Sequence, residues 1–149
     1  MLDNFIEEKI DDLKLKKTGK DMHTSHECLL EQVEKQEVEA REFGFYWERI
    51  EQLIEQVQSE CREVQEAWEE GNRAHLQEEI GDLIQAAIGV AVFRNLDPCE
   101  TLRQSIEKFQ KRYDAVVQFA QRDGHTHLRQ KPFELLMDYW HRAKQQEMN

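Results

Sequence analysis

Four acids in two pairs carry the strongest chemical signal in the sequence. Glu60 and Glu63 stand three residues apart in one segment, and Glu79 and Asp82 stand three apart in the next. On a helix, residues at that spacing project from one side, so each pair presents two carboxylates together. The pairs also match across the intervening Gly71: Glu63 and Glu79 are equidistant from it, and so are Glu60 and Asp82. If Gly71 is the turn of an antiparallel hairpin, Glu63 faces Glu79 and Glu60 faces Asp82 at neighbouring heights. Four carboxylates gathered in this way repel one another unless a cation lies among them. An oxygen-only donor set suits a hard ion, Mg²⁺ or Mn²⁺. Any one of these acids alone reads as a solvated helix residue in a chain with 31 acidic side chains, but the matched pair of pairs outweighs that reading. Farther along, Lys108 and Arg112 form an i, i+4 pair. Pointing along a bundle toward the same cleft, they would complete a polyphosphate site; their spacing fits solvated partners of Glu107 and Asp114 equally well.

The elements that must position these groups are helical. From Trp47 to Trp68 the residues Trp47, Ile50, Ile54, Val57, Cys61, Val64 and Trp68 recur at alternating steps of three and four, which predicts one long helix with an apolar seam. The first acidic pair then lies about 100° round from that seam, at its edge. Gly71 suits the left-handed position that ends a helix, and Asn72 can cap the next. The second helix, about 73–95, is apolar nearly all round from Leu83 to Phe93, which places it at the centre of a bundle. Asp97-Pro98-Cys99-Glu100 reads as a helix start with Asp97 as cap and Glu100 closing a capping box. The helix that follows carries Leu102, Ile106, Phe109, Tyr113, Val116 and Ala120 and ends near Asp123-Gly124. Residues 28–42 are helical up to a break at Gly44, and Lys131-Pro132 opens a last helix rich in large apolar groups. The expected organisation is a charged extension over 1–27, a helical domain over 28–124 and a helical extension over 125–149.

Composition agrees. Six Gly and two Pro in 149 residues leave little material for a strand-and-turn fold, and a net charge of −11 opposes binding to nucleic acid. The longest apolar stretch spans eleven residues, Leu83 to Phe93, too short to cross a membrane. The N-terminus has no signal-peptide pattern, and Cys28, Cys61 and Cys99 are spaced as reduced thiols of a cytoplasmic chain.

With these residues in view, the segment from Phe43-Gly44-Phe45-Tyr46-Trp47 through Arg112-Tyr113, about half of the chain, resembles the MazG-type nucleoside triphosphate pyrophosphohydrolases. This all-α superfamily also includes the dimeric dUTPases. Its ExxE, connector and ExxD pattern stands here as Ser59-Glu60-Cys61-Arg62-Glu63-Val64 and Glu78-Glu79-Ile80-Gly81-Asp82-Leu83. Its KFxxR segment stands as Lys108-Phe109-Gln110-Lys111-Arg112-Tyr113. The resemblance implies hydrolysis of the α–β phosphoanhydride of an NTP or dNTP to the monophosphate and pyrophosphate. It further implies Mg²⁺ held by Glu60, Glu63, Glu79 and Asp82, with Lys108 and Arg112 offsetting phosphate charge. Three positions depart from the pattern: Ser59 stands in place of a common Glu, Ile106 in place of a common Asn, and Tyr46 in place of a frequent acid.

Other signals are weaker. His23, His26 and Cys28 form H-x-x-H-x-C, and His125-Thr126-His127 forms H-x-H; without partners at ligand spacing both read as loop residues. No Glu-x-x-His occurs anywhere, which excludes a ferritin-like di-metal site. Trp47 and Trp68 could stack a nucleobase, but seam positions assign them to the core. One hairpin and one further long helix cannot cover a segment as apolar as Leu83–Phe93, so a homodimer or a dimer of dimers is expected. The competing reading is a non-catalytic helical dimer that binds a nucleotide or docks a partner through the 132–146 helix.

Overall fold

The computed structural model describes residues 28–147 and shows an all-α bundle. In chain order the helices are α1 (Leu29–Phe43), α2 (Ile50–Glu70), α3 (Arg73–Phe93), α4 (Pro98–Arg122) and α5 (Phe133–Gln146), and no strand occurs among the described residues. The expected extension over 1–27 lies outside them, as do His23 and His26. No helix among them is long and apolar enough to cross a membrane.

Local chemistry sets most helix ends. At the start of α1 the Glu31 carboxylate accepts the Cys28 N–H at 3.2 Å, and the helix closes at Gly44, whose φ of 97° is left-handed. At α2 the Gln52 amide oxygen accepts the N–H groups of Glu48 and Arg49, both at 3.0 Å. That pair of hydrogen bonds fixes the helix start at Ile50 rather than at Trp47, which lies ahead of it. Gly71 takes φ 70° between α2 and α3, and Asn72 Oδ1 accepts from Ala74 N and His75 N at 3.1 and 3.3 Å. Asp97 caps α4 by accepting the Glu100 N–H at 2.7 Å. The Glu100 side chain does not return the bond; it turns to Arg103 and Gln104, so only half of the expected capping box forms.

α2 and α3 form a long antiparallel hairpin, α1 crosses α3, and α4 rests lightly on α1 and α3 while carrying α5. Gly89 marks a close approach: a Cβ there would stand 3.4 Å from the Glu37 carboxylate and 3.8 Å from the Leu53 side chain. At the far end, Asp123 Oδ2 accepts from both Tyr139 Oη and Arg142 Nη1, each at 3.0 Å. The Arg142 bond first, and the Tyr139 bond second, hold the Asp123 carboxyl below its ordinary range. Two helix N-termini also meet where the Cys28 and Cys99 sulfurs lie 3.7 Å apart. Contact with the Cys28 sulfur, then lost water, and then nearby negative charge push the Cys99 thiol up to about 11.

The apolar seam expected to pack α2 into the core is split: Ile50, Val57 and Val64 are half-buried beside the packed line, whereas Trp47, Ile54, Cys61 and Trp68 are exposed. The buried line is Leu53, Glu60 and Ala67. Trp68 is 67% exposed and Ile54 45%, and Trp47 is exposed as well, so neither tryptophan is core. Leu53 and Ala67 pack fully within the chain, whereas the bulkiest members of the seam, Trp47, Ile54 and Trp68, are left outward. α3 is likewise covered on one side only: Ile80 and Ile84 are exposed, as are Leu102, Ile106, Phe109 and Tyr113 on α4. Exposed large apolar side chains therefore recur along both the hairpin and α4.

Candidate metal centre

The hairpin brings three of the four acids together. Glu60, Glu79 and Asp82 each offer a carboxylate oxygen, and these oxygens lie within 4.8 Å of one another. Glu60 is 7% exposed and Glu79 9%, whereas Asp82 opens to solvent. Glu60 comes from the middle of the buried line of α2, and Glu79 and Asp82 come from successive turns of α3. The turn at Gly71 sets the register between them. A carboxylate buried on a packed helix face is dehydrated at some cost, so two such acids side by side make a site that favours a cation.

Glu63, the fourth acid, stands outside this group on the exposed side of α2. There it accepts the Ser59 hydroxyl at 3.2 Å. The departure at Ser59 thus has a visible local effect, because the serine engages the neighbouring carboxylate one turn away. Glu60 has its own neighbour in Gln56, whose amide donates to its Oε1.

His75 is a member of the site that sequence reasoning missed. Its Nε2 lies 3.0 Å from Glu79 Oε1 and its Nδ1 lies 2.8 Å from Glu70 Oε2. The imidazole therefore bridges the end of α2 to the first turns of α3 and orients the Glu79 carboxylate. The bond to Glu70, above all, raises its pKa above the ordinary histidine value, against a smaller opposing effect of lost water. Its i, i+4 spacing to Glu79 was visible in the sequence, but the Glu70 contact exists only because the Gly71 turn folds α2 back on α3.

Lys108 is exposed on α4 and makes no ion pair among the described residues. Arg112 is committed elsewhere. Its Nε bonds Glu147 Oε2 at 2.8 Å, and its guanidinium lies 5.8 Å from the centre of the Trp140 ring. α5 and the residue after it thus hold the cation against the bundle.

Residues 48–117 match the model of the MazG nucleotide pyrophosphohydrolase domain. The chain carries a MazG domain. The match takes in α2, α3 and most of α4, and with them all four acids, His75, Lys108 and Arg112; α1 and α5 lie outside it. Over 105 residues, 70% of this chain, the sequence is also 33% identical to a Thermotoga maritima protein named nucleoside triphosphate pyrophosphohydrolase/pyrophosphatase MazG. The matched stretch spans 40% of that relative's length. The hairpin acids of this MazG domain suit a hard divalent ion by donor chemistry as well. Three oxygens converge, two of them from buried side chains, and the one imidazole present is occupied with two carboxylates.

Proposed function

We propose that this MazG domain is a Mg²⁺-dependent nucleoside triphosphate pyrophosphohydrolase that cleaves the α–β phosphoanhydride of an NTP or dNTP to the monophosphate and pyrophosphate. The observation that carries the proposal is the convergence of Glu60, Glu79 and Asp82 on one point of the α2–α3 hairpin. Glu60, Glu79 and Asp82 would hold Mg²⁺ or Mn²⁺, and Glu63 would join them by giving up the Ser59 hydroxyl. The bound ion supplies positive charge against the triphosphate oxygens, where negative charge builds up during displacement.

The remaining roles fall to the chain's own groups. A carboxylate of the cluster accepts the proton of the attacking water. His75 fixes the rotamer of Glu79, so the cluster needs little reorganisation when substrate arrives. Lys108 and Arg112 neutralise the departing pyrophosphate, which requires Arg112 to leave Glu147. The exposed apolar side chains of the hairpin and α4 would pair two copies into a homodimer or a dimer of dimers, which would remove them from water.

The test is pyrophosphate and phosphate release from a panel of NTPs and dNTPs, with and without Mg²⁺. Pyrophosphate without phosphate, lost on chelation and in Glu79→Gln and Asp82→Asn variants with intact helices, is the expected result. A second reading, a non-catalytic dimer that binds nucleotide, draws support from the engagement of Arg112 with Glu147 and Trp140. Absence of turnover across the panel from folded protein, with nucleotide still bound, would favour it.

A further inference from the structure

Away from the carboxylate site, the fold brings together two thiols that are 71 positions apart in the chain, with the Cys99 thiol donating to the Cys28 sulfur at 3.7 Å. They come from two helix starts: Cys28 is the N-cap of α1, and Cys99 lies in the first turn of α4. Both starts are tied down, one by the Glu31 carboxylate at the Cys28 N–H and the other by Asp97 at the Glu100 N–H. A disulfide holds its sulfurs about 2.05 Å apart, so this pair must close by about 1.6 Å, within the swing of two side chains about χ1. Cys28 is exposed and Cys99 half-buried. A small oxidant therefore reaches one sulfur from solvent while the second is already in contact with it.

We infer that Cys28 and Cys99 are a peroxide-responsive thiol pair that closes a disulfide between α1 and α4. The Cys28 thiolate attacks one oxygen of hydrogen peroxide; a sulfur–oxygen bond forms, the oxygen–oxygen bond breaks, and the hydroxide released takes up the Cys28 proton as water. The Cys99 sulfur then attacks the Cys28 sulfenic acid. A sulfur–sulfur bond replaces the sulfur–oxygen bond, and the departing hydroxide takes the Cys99 proton as a second water. The two thiols lose two electrons and two protons, and one peroxide becomes two waters. The contact also divides the roles. The bond to Cys28, then lost water, then the negative charge of Cys28, Asp97 and Glu31 push the Cys99 thiol up to about 11. A thiol that keeps its proton is a poor nucleophile, so the first attack falls to the exposed Cys28 and the second to Cys99. The bond would change how α4 is held. In the reduced chain α4 rests lightly on α1 and α3; the disulfide closes a loop containing α1, α2 and α3 and pins the start of α4 to it.

The test uses the reduced full-length chain in chelator, treated with hydrogen peroxide and then alkylated with N-ethylmaleimide in denaturant without reductant. Mass spectrometry should show two alkylatable thiols lost per chain, and peptide mapping should join the Cys28 peptide to the Cys99 peptide of the same chain. The oxidised protein should melt about 4–16 °C above the reduced protein, because closing the loop restricts the unfolded chain, and dithiothreitol should reverse the gain. Cys99→Ser should stop at a sulfenic acid on Cys28 that dimedone traps. Cys28→Ser should lose the Cys99 thiol to peroxide more than about tenfold more slowly than the wild type closes its disulfide. Cys61→Ser should close its disulfide as the wild type does. Circular dichroism checks that each variant is folded, and mapping of the wild type decides the linkage without any variant. Three free thiols after excess peroxide, a bond that involves Cys61, a bond between chains, or oxidised protein that melts no higher than reduced would overturn the inference. So would Cys28→Ser protein oxidised at the wild-type rate, because Cys99 would then be the attacking thiol.

Discussion

Replacing Asp82 with Asn should stabilise the metal-free protein and remove its response to magnesium. The oxygens of Glu60, Glu79 and Asp82 lie within 4.8 Å of one another. Two unit charges at that separation repel by about 0.9 kcal/mol in bulk water and about 3.5 kcal/mol at the effective dielectric of a protein surface site. Asp82 is the exposed member of the trio, so its two pairwise terms belong near the lower figure, together about 2 kcal/mol. At about 2–4 °C per kcal/mol for a chain of this size, the metal-free Asp82→Asn protein should melt about 4–8 °C higher than the wild type. Magnesium at a hundredfold excess over its dissociation constant should stabilise the wild type by about 2.7 kcal/mol, or about 5–11 °C, through mass action. Thermal melts in chelator and in Mg²⁺, run on both proteins, measure both quantities. Glu63→Gln is the control, because Glu63 lies outside the trio. It should show little of the metal-free gain while losing part of the magnesium response. If Asp82→Asn melts below the wild type in chelator, or keeps the full magnesium response, the acids do not form a repulsive cation site.

Four further outcomes are expected. Leu53→Ala, at a position 2% exposed, should cost about 3 kcal/mol through cavity formation and lower the melting temperature by about 6–12 °C, measured by calorimetry. Ile84→Glu, on the exposed apolar face of α3, should leave the helices intact but shift sedimentation equilibrium from dimer to monomer; a wild type that is monomeric at micromolar concentration would refute the assembly. Because the folded-state pKa of Asp123 is depressed by Arg142 and then Tyr139, its contribution is complete above the unfolded carboxylate value of about 3.9 and is lost as pH falls through the folded value. Asp123→Asn should therefore lower the melting temperature at pH 7 and have a vanishing effect near pH 2, in a pH series of melts. Glu147→Gln, which weakens the hold on Arg112, should lower KM for the triphosphate in steady-state assays without raising kcat more than about twofold.

Much of this architecture is written locally. Gly71, Asn72, Asp97, Pro98 and Gly44 each act within a few residues of themselves, and the structure uses all five as their chemistry dictates. The face of α2 was less legible. Periodicity identifies the residues that avoid water, yet Trp47, Ile54 and Trp68 of the seam are exposed while the chain packs along Leu53, Glu60 and Ala67, with Val57 and Val64 half-buried beside them. An acid in the middle of that line disguises it as a polar face. The equidistance of the acids from Gly71 anticipated the meeting of Glu60, Glu79 and Asp82, but not the outward side chain of Glu63, which depends on the local rotamer and on Ser59. Contacts such as Arg112 with Glu147, 35 residues apart, and Cys28 with Cys99 arise from how helices cross, and no local spacing encodes them.

The Gly71 turn acts as a ruler for the whole site. An inserted residue absorbed into either helix would displace one set of acids by about 1.5 Å and swing it by about 100°, carrying Glu60 out of reach of Glu79 and Asp82 and detaching His75 from Glu70. Neither error could be repaired by side-chain rotation. The connector therefore tolerates little change in length, although it is exposed and has the outward character of a loop open to variation.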